Sequence, residues 1–340
     1  MLPLMSGQAA LSPGLLLLRR SDVAALLTLE DCIPAVEEAF RMRAEGRALP
    51  SELMHIDAND GEFHIKGGGL KLDRTYVALK ANSSFFRNRE LHSLPNIQGL
   101  ILLFDAENGI PLAVMDSIEI TILRTGAATA AAAKLLARPD SEAATVCGCG
   151  NQGRVQLAAL RRALPRLKRA YAFDAAPAAA RAFAVETAGP GFAVEAVTDL
   201  ASAVGRSDAV ITCTPSKRFY LQKTWVRPGT FIAAVGADSP TKQELEPALL
   251  AGAKVVADIL EQCVRVGEIH HAIAAGLMTE RDVHGELGDI IAGKLPGRTS
   301  AEEITIFDAT GTALQDAAAA VAVYRKAILQ GRGSTVSISG

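Results

Sequence analysis

Three glycines, Gly148, Gly150 and Gly153, constrain this chain more than any other feature. They stand in strict G-x-G-x-x-G spacing within AATVCGCGNQGRVQLAALRRALPRLKRAYAFD, residues 143–174. The apolar run 143–147 is too short for a helix before the first glycine, so it reads as a buried strand. Val155, Leu157, Ala158, Leu160 and Leu164 then recur at near-helical intervals. A second strand, 169–173, ends at Asp174. Strand, glycine turn, helix and strand in that order point to a β-α-β unit and an α/β fold.

Each part suits a dinucleotide. Gly148 lets the chain turn sharply off the strand, Gly150 leaves the backbone bare for a pyrophosphate, and Gly153 lets the helix pack close. Asn151 and Gln152 open that helix, whose free N–H groups face an anion. Asp174 lies about 20 residues past the last glycine, where an acid accepts hydrogen bonds from a ribose 2′-OH. No Arg follows it directly to meet a 2′-phosphate. NAD(H) is therefore favoured, with NADP(H) still open. Thr214 and Ser216, after a later strand, are placed along the nucleotide, with Val235 at the end of the next.

The chain has 340 residues, comfortable for two domains, and is 49% apolar. Its net charge of −2 gives no electrostatic case for nucleic acid or an anionic membrane. The 5 cysteines are odd in number and scattered, which fits reduced thiols in a cytoplasmic protein. The run 15–18 has its arginines after it, unlike a signal peptide, so residues 1–13 read as a disordered leader. No run is long enough for a transmembrane helix.

Before the glycine motif, 22–27 and 29–45 read as amphipathic helices. Short alternating runs follow at 53–56, 62–65, 75–80, 99–104 and 112–114, punctuated by turns such as Asp60-Gly61 and Asn108-Gly109. They predict a mostly antiparallel sheet. An alanine-rich helix, 117–137, leads into the nucleotide domain. Further strands at 193–196, 209–213, 230–235, 254–257 and 303–307 extend a parallel sheet. The last helix, 313–329, is free to return to the first domain. The expected division is a Rossmann domain, 133–311, and a discontinuous α+β substrate domain, 1–132 with 312–340.

Several side chains could do chemistry. Lys80 closes an apolar strand in YVALKANSS, where a solvated end residue is the ordinary alternative. Arg124, followed by Thr125 inside the alanine helix, could grip a carboxylate or phosphate with two hydrogen bonds, or serve a structural ion pair. Asp238 lies just past a strand end, where ligands bind in such sheets, and suits a general acid/base or a turn. Asp316 opens the final helix and would complement its dipole. His270 and His271 are adjacent, and no His, Cys or Asp spacing suggests a metal cage, so no metal is expected. Without a G-x-S-x-G elbow, a hydrolase has no support.

The segments PLAVMDSIEITILRTGAA, GCGNQG, VGADSPTKQELE, VHGELGDIIAG and EEITIFDATGTALQD carry a further signal. Taken together, and in this order, they resemble the ornithine cyclodeaminase / mu-crystallin family, which also holds archaeal-type alanine dehydrogenases and ketimine reductases. The resemblance runs from about residue 22 to residue 327. It implies a homodimer in which one domain carries the substrate site and the dimer sheet. It implies that Lys80 and Arg124 hold a substrate carboxylate and that Asp238 is the catalytic acid/base, with Lys80 beside it. Arg124 and Thr125 would also approach the cofactor phosphates, and Asp316 is placed with the cofactor residues.

Two positions depart from the family pattern. Glu52 stands in LPSELM, where many members carry a basic residue. Lys66 stands in His64-Ile65-Lys66-Gly67, where many read Met-Pro. Lys66 would repel the distal ammonium of ornithine. It is read either as replacing the missing cation or as meeting an oxo or carboxylate group. The leading expectation is an NAD(H)-dependent oxidoreductase acting on a C–N bond of a small amino or imino acid. A cyclodeaminase using NAD+ catalytically is the second reading, and a non-catalytic, crystallin-like nucleotide binder the third.

Overall fold

The protein is described by a computed structural model covering residues 14–337. The expected leader, 1–13, lies outside the described residues. The first sheet has seven strands in the order Ser334–Val336, Leu15–Leu18, Pro111–Asp116, Ile97–Asp105, Thr75–Ser84, Gly61–Lys71 and Glu52–Ala58. Its neighbours are antiparallel except Leu15–Leu18 beside Pro111–Asp116. The sheet is therefore mostly antiparallel, as the alternating runs predicted.

The run 15–18, to which the sequence assigns no element, is a strand held by partners far away in the chain, 111–116 and 334–336. One sequence expectation needs correction here. The strand expected to stop at Lys80 continues to Ser84. Asn82, Ser83 and Ser84 resemble a turn, yet they pair with Gly99, Gln98 and Ile97. Lys80 thus sits in mid-strand and is buried.

Side chains alternate across a strand, so the sheet has two distinct faces. Lys66 pairs with Lys80 and His64 with Asn82, giving one polar face. Leu79 pairs with Leu102, Ala81 with Leu100 and Ile56 with Phe63, giving an apolar face that is largely exposed. Helices Leu29–Ala44, Ile118–Leu136 and Ala313–Gln330 cover the polar face at its buried end. The first of these is fixed by a capping box in which Thr28 and Asp31 satisfy each other's backbone N–H groups. The last helix returns to the first sheet, as its place in the chain allowed.

The second sheet has eight parallel strands. From one edge they run Ala193–Ala196, Arg169–Phe173, Ala143–Cys147, Ala209–Thr212, Phe231–Ala234, Thr305–Asp308, Lys254–Ala257 and Gly285–Glu286. The order reverses between Ala143–Cys147 and Ala209–Thr212. That switch point opens a crevice at the strands' carboxyl ends, and the glycine loop lies in it. A small parallel pair, Lys217–Leu221 with Gln243–Leu245, was not expected from sequence. Helix Ile118–Leu136 joins the two halves, and Gly126 lets it touch Val155 of the glycine-loop helix Asn151–Ala163: a methyl there would lie 3.0 Å from a Val155 methyl.

Candidate active site

Substituent space at the glycine loop separates three roles. Gly148 adopts φ +100°, in the left-handed region that favours glycine, and an added Cβ would meet the Cys213 carbonyl at 2.9 Å. A Cβ at Gly153 would lie 2.1 Å from the Gly148 carbonyl, so the helix cannot seat there with any other residue. A Cβ at Gly150 meets nothing within 4 Å. The protein itself therefore does not require glycine at 150, whereas a pyrophosphate laid against the backbone would. Asp174 accepts hydrogen bonds from Cys149 N and Ala176 N, both 2.9 Å, which fixes its carboxylate beside the loop. Gly150, Asn151 and Gln152 line a cavity of about 660 Å³ together with Cys213, Thr121 and Arg89. That volume suits part of a dinucleotide. Thr125 lies one turn along from Thr121 and bonds its carbonyl at 2.7 Å.

The loops after the neighbouring strands are tied by one buried carboxylate. Glu244 accepts from Thr214 N and Oγ1, each 2.6 Å, from the Tyr220 hydroxyl at 2.8 Å and from Gly236 N at 3.0 Å. Burial pushes its pKa up, against these hydrogen bonds. Glu268 holds the next link by accepting from Glu244 N and Leu245 N. Thr214 thus braces the loop, and the Ser216 hydroxyl donates to the Arg218 carbonyl at 2.6 Å. Val235, half-buried, is bonded through its N–H to the Thr212 carbonyl.

Asp238 follows this brace. Its side chain keeps 40% of its surface open and lies 2.6 Å from Lys242. Burial opposes its ionisation, but the Lys242 ammonium and then Lys66 prevail and hold the carboxyl well below the usual range. Asp238 lines a cavity of about 400 Å³ with His55, Asp57, Glu62, His64 and Lys217. Burial depresses the His64 pKa, although Asp238 and Glu62 favour its charged form.

Behind that cavity lies an ion cluster. Asp316 is 1% exposed, with one oxygen 2.7 Å from Lys80 Nζ and the other 3.0 Å from Arg124 Nε. Asp316, placed from sequence with the cofactor residues or as a dipole complement, lies in the first turn of the last helix and is enclosed by these two cations. Gln315 accepts from Arg124 at 2.8 Å. Burial lowers the Lys80 pKa to about 7 despite Asp316. Asp316 stays ionised: burial opposes this, but Lys80 and Arg124 pull its pKa down. Lys66 donates to the Thr310 and Gly311 carbonyls at 3.0 and 2.7 Å, and burial, then Arg124, lowers its pKa. Gly311 has φ +72°, and a Cβ there would strike the Arg124 guanidinium at 2.2 Å. Glu52 is exposed and pairs in register with Gly67.

Sequence reasoning missed Lys242 and Glu244. Lys242 lies one helical turn's spacing from Asp238, a signal that was available. The brace by Glu244 was not, because its partners come from two strand-end loops and the strand Lys217–Leu221.

The family's sequence profile, described as "Ornithine cyclodeaminase/mu-crystallin family", matches residues 15–331. The chain belongs to this family. It is 40% identical over 321 residues to an alanine dehydrogenase of Archaeoglobus fulgidus, covering 94% of this chain and 98% of that protein. A solved archaeal alanine dehydrogenase, described as a dimer with bound NAD, superposes with a TM-score of 0.90 at 39% identity, covering 95% of this chain and 99% of that one. The Δ1-pyrroline-2-carboxylate reductase of Thermococcus litoralis, solved with NADH and L-proline, gives a TM-score of 0.89 at 33% identity over 95% and 100% of the two chains. The chain's Rossmann-type parallel sheet and its separate, mostly antiparallel sheet thus belong to a fold it shares with these solved structures. Among the described residues, no helix is long and apolar enough to cross a membrane.

Proposed function

We propose that this chain reduces the C=N bond of a small α-imino acid, and oxidises the corresponding amine in reverse, in the cleft between its two sheets. It is an NAD(H)-dependent oxidoreductase acting on C–N bonds. The cofactor, held by the glycine loop, Asn151, Gln152 and Asp174, supplies or accepts the hydride at the substrate's Cα.

One observation carries the carboxylate half of this reading. Lys66, Lys80 and Arg124 are all buried, yet Asp316 is the carboxylate in direct ion contact with two of them, and Lys66 bonds only carbonyls. Buried cations demand anions, and a substrate carboxylate meets that demand. Asp238, ionised and facing the cavity, pairs with the iminium N–H and takes the proton from nitrogen in the oxidative direction. Lys242 keeps it in the carboxylate form. Asp238→Asn should lower turnover about 10²- to 10⁴-fold while leaving NADH affinity unchanged. Wild-type turnover in that variant would remove Asp238 from the mechanism.

The exposed apolar face supports a homodimer. Met54, Ile56, Leu79, Leu100 and Leu102 expose between 37% and 56% of their surface on one side of the first sheet. A contiguous patch of this kind needs a cover, and a second copy supplies one.

A cyclodeaminase reading has one specific support. Glu62 and Asp57 share the Asp238 cavity and could receive a distal ammonium. Ammonia release from a diamino acid, with no net change in NADH, would select it.

A further inference from the structure

The hairpin Glu52–Ala58 and Gly61–Lys71 builds a second constellation that spacing alone concealed. Its antiparallel register sets His55 opposite His64 and Asp57 opposite Glu62. Residues two apart share a face, so all four side chains stand together on the side that looks into the Asp238 cavity. His64 Nε2 lies 3.1 Å from Glu62 Oε1, and His55 Nε2 lies 3.6 Å from Glu62 Oε2. One ligand atom from each of these three residues lies within 4.8 Å of the other two. The two imidazoles meet edge to face, centroids 4.7 Å apart, with both Nε2 atoms turned to the same carboxylate.

We propose that His55, Glu62 and His64 form a binding site for a divalent ion of the zinc class on the wall of the substrate cavity. Tetrahedral zinc bonded to nitrogen and oxygen at roughly 2.0–2.2 Å separates its ligand atoms by about 3.3 Å. The two contacts to Glu62, one to each carboxylate oxygen, bracket that value, and the three ligand atoms, within 4.8 Å of one another, draw together on binding. Two imidazoles and one carboxylate favour zinc, cobalt or iron over magnesium or calcium, which prefer all-oxygen sets. Asp57 Oδ1 lies 3.0 Å from that same His55 Nε2, so an ion bound there displaces this hydrogen bond and leaves Asp57, 91% exposed, as a further oxygen donor beside it. Three protein ligands leave a coordination position for water or for an oxygen of the bound molecule, as in catalytic rather than structural zinc sites. On the imino-acid reading, which this selectivity presupposes, such an ion would select substrates with a carboxylate or hydroxyl at the far end. It would also oppose a distal ammonium at Glu62.

The site is tested without reference to turnover. Chelator-treated full-length protein is titrated with cobalt(II) and followed by its visible d–d bands, with zinc as competitor. The proposal expects one equivalent per chain with the intense spectrum of four-coordinate cobalt, displaced by zinc. His55→Ala and Glu62→Gln should each weaken binding by about tenfold or more, with NADH affinity retained as the check on folding. A spectrum like that of hydrated cobalt would overturn the site, as would variants that fold and bind as tightly as the wild type. Cobalt binding with no NADH-dependent turnover of any imino acid would keep the site and refute the imino-acid function instead.

Discussion

Replacing Asp316 by Asn tests the ion cluster at its centre. The carboxylate lies 2.7 Å from Lys80 and 3.0 Å from Arg124, and the three side chains are between 1% and 6% exposed. Removing one partner of such a group leaves buried charge uncompensated and costs about 3–5 kcal/mol. That is a large part of an ordinary folding stability, and in a chain of this length it lowers Tm by roughly 4–7 °C. The loss should depend on pH. Lys80 is charged in the wild-type cluster below about 7, and without Asp316 its pKa falls further. Wild type then holds a proton that the variant has lost, so the gap between them widens as pH falls through 7 and narrows as pH rises. Thermal and urea unfolding at about pH 6 and about pH 9 would read both the size and the slope. A small carboxylate such as acetate should also stabilise the variant more than the wild type, because it restores the missing anion. A loss below about 1 kcal/mol at both pH values would refute the reasoning, since water would then already be serving these charges.

Other consequences follow from the same geometry. Gly150→Ala should leave apo stability unchanged, because its Cβ meets no protein atom within 4 Å, yet weaken NADH binding by about tenfold or more; equilibrium fluorescence titration reads this. Gly153→Ala should lose both folding stability and NADH binding, since its Cβ would stand 2.1 Å from the Gly148 carbonyl, and calorimetry distinguishes the pair. The kcat/KM for an imino acid should fall as pH rises through about 7, as free-enzyme Lys80 loses the charge that receives the carboxylate, while kcat changes less. Leu100→Arg should convert a dimer into monomers in sedimentation velocity, because Leu100 is 53% exposed on the apolar face.

Local and distant signals divide what the sequence revealed. The glycine loop, its helix and Asp174 were legible because a short segment contains the whole unit and each glycine answers a nearby steric demand. Strands Ala209–Thr212 and Lys254–Ala257 fall where the apolar runs put them, since buried parallel strands need no alternation. The ion cluster was not legible. Lys80, Arg124 and Asp316 come from a strand and two helices, and the role first read for Asp316 came from its helix alone. Lys80 itself looked like a strand end because the polar residues after it imitate a turn, while their pairing with 97–99 lies on another strand. The histidine pair was hidden for a similar reason. Nothing in the separation of His55 and His64 suggests a metal ligand set until the register across the turn places them opposite each other.

The central claim is tested most directly by NADH absorbance with purified protein offered a panel of cyclic imino acids and of 2-oxo acids with amines, run beside Asp238→Asn. The account predicts steady, stoichiometric loss of NADH with at least one α-imino carboxylate. It predicts no such loss with the matching imine that lacks the carboxylate, and a rate roughly 10²- to 10⁴-fold lower in the variant. Equal rates for acid and carboxylate-free imine, or an unimpaired Asp238→Asn enzyme, would contradict it.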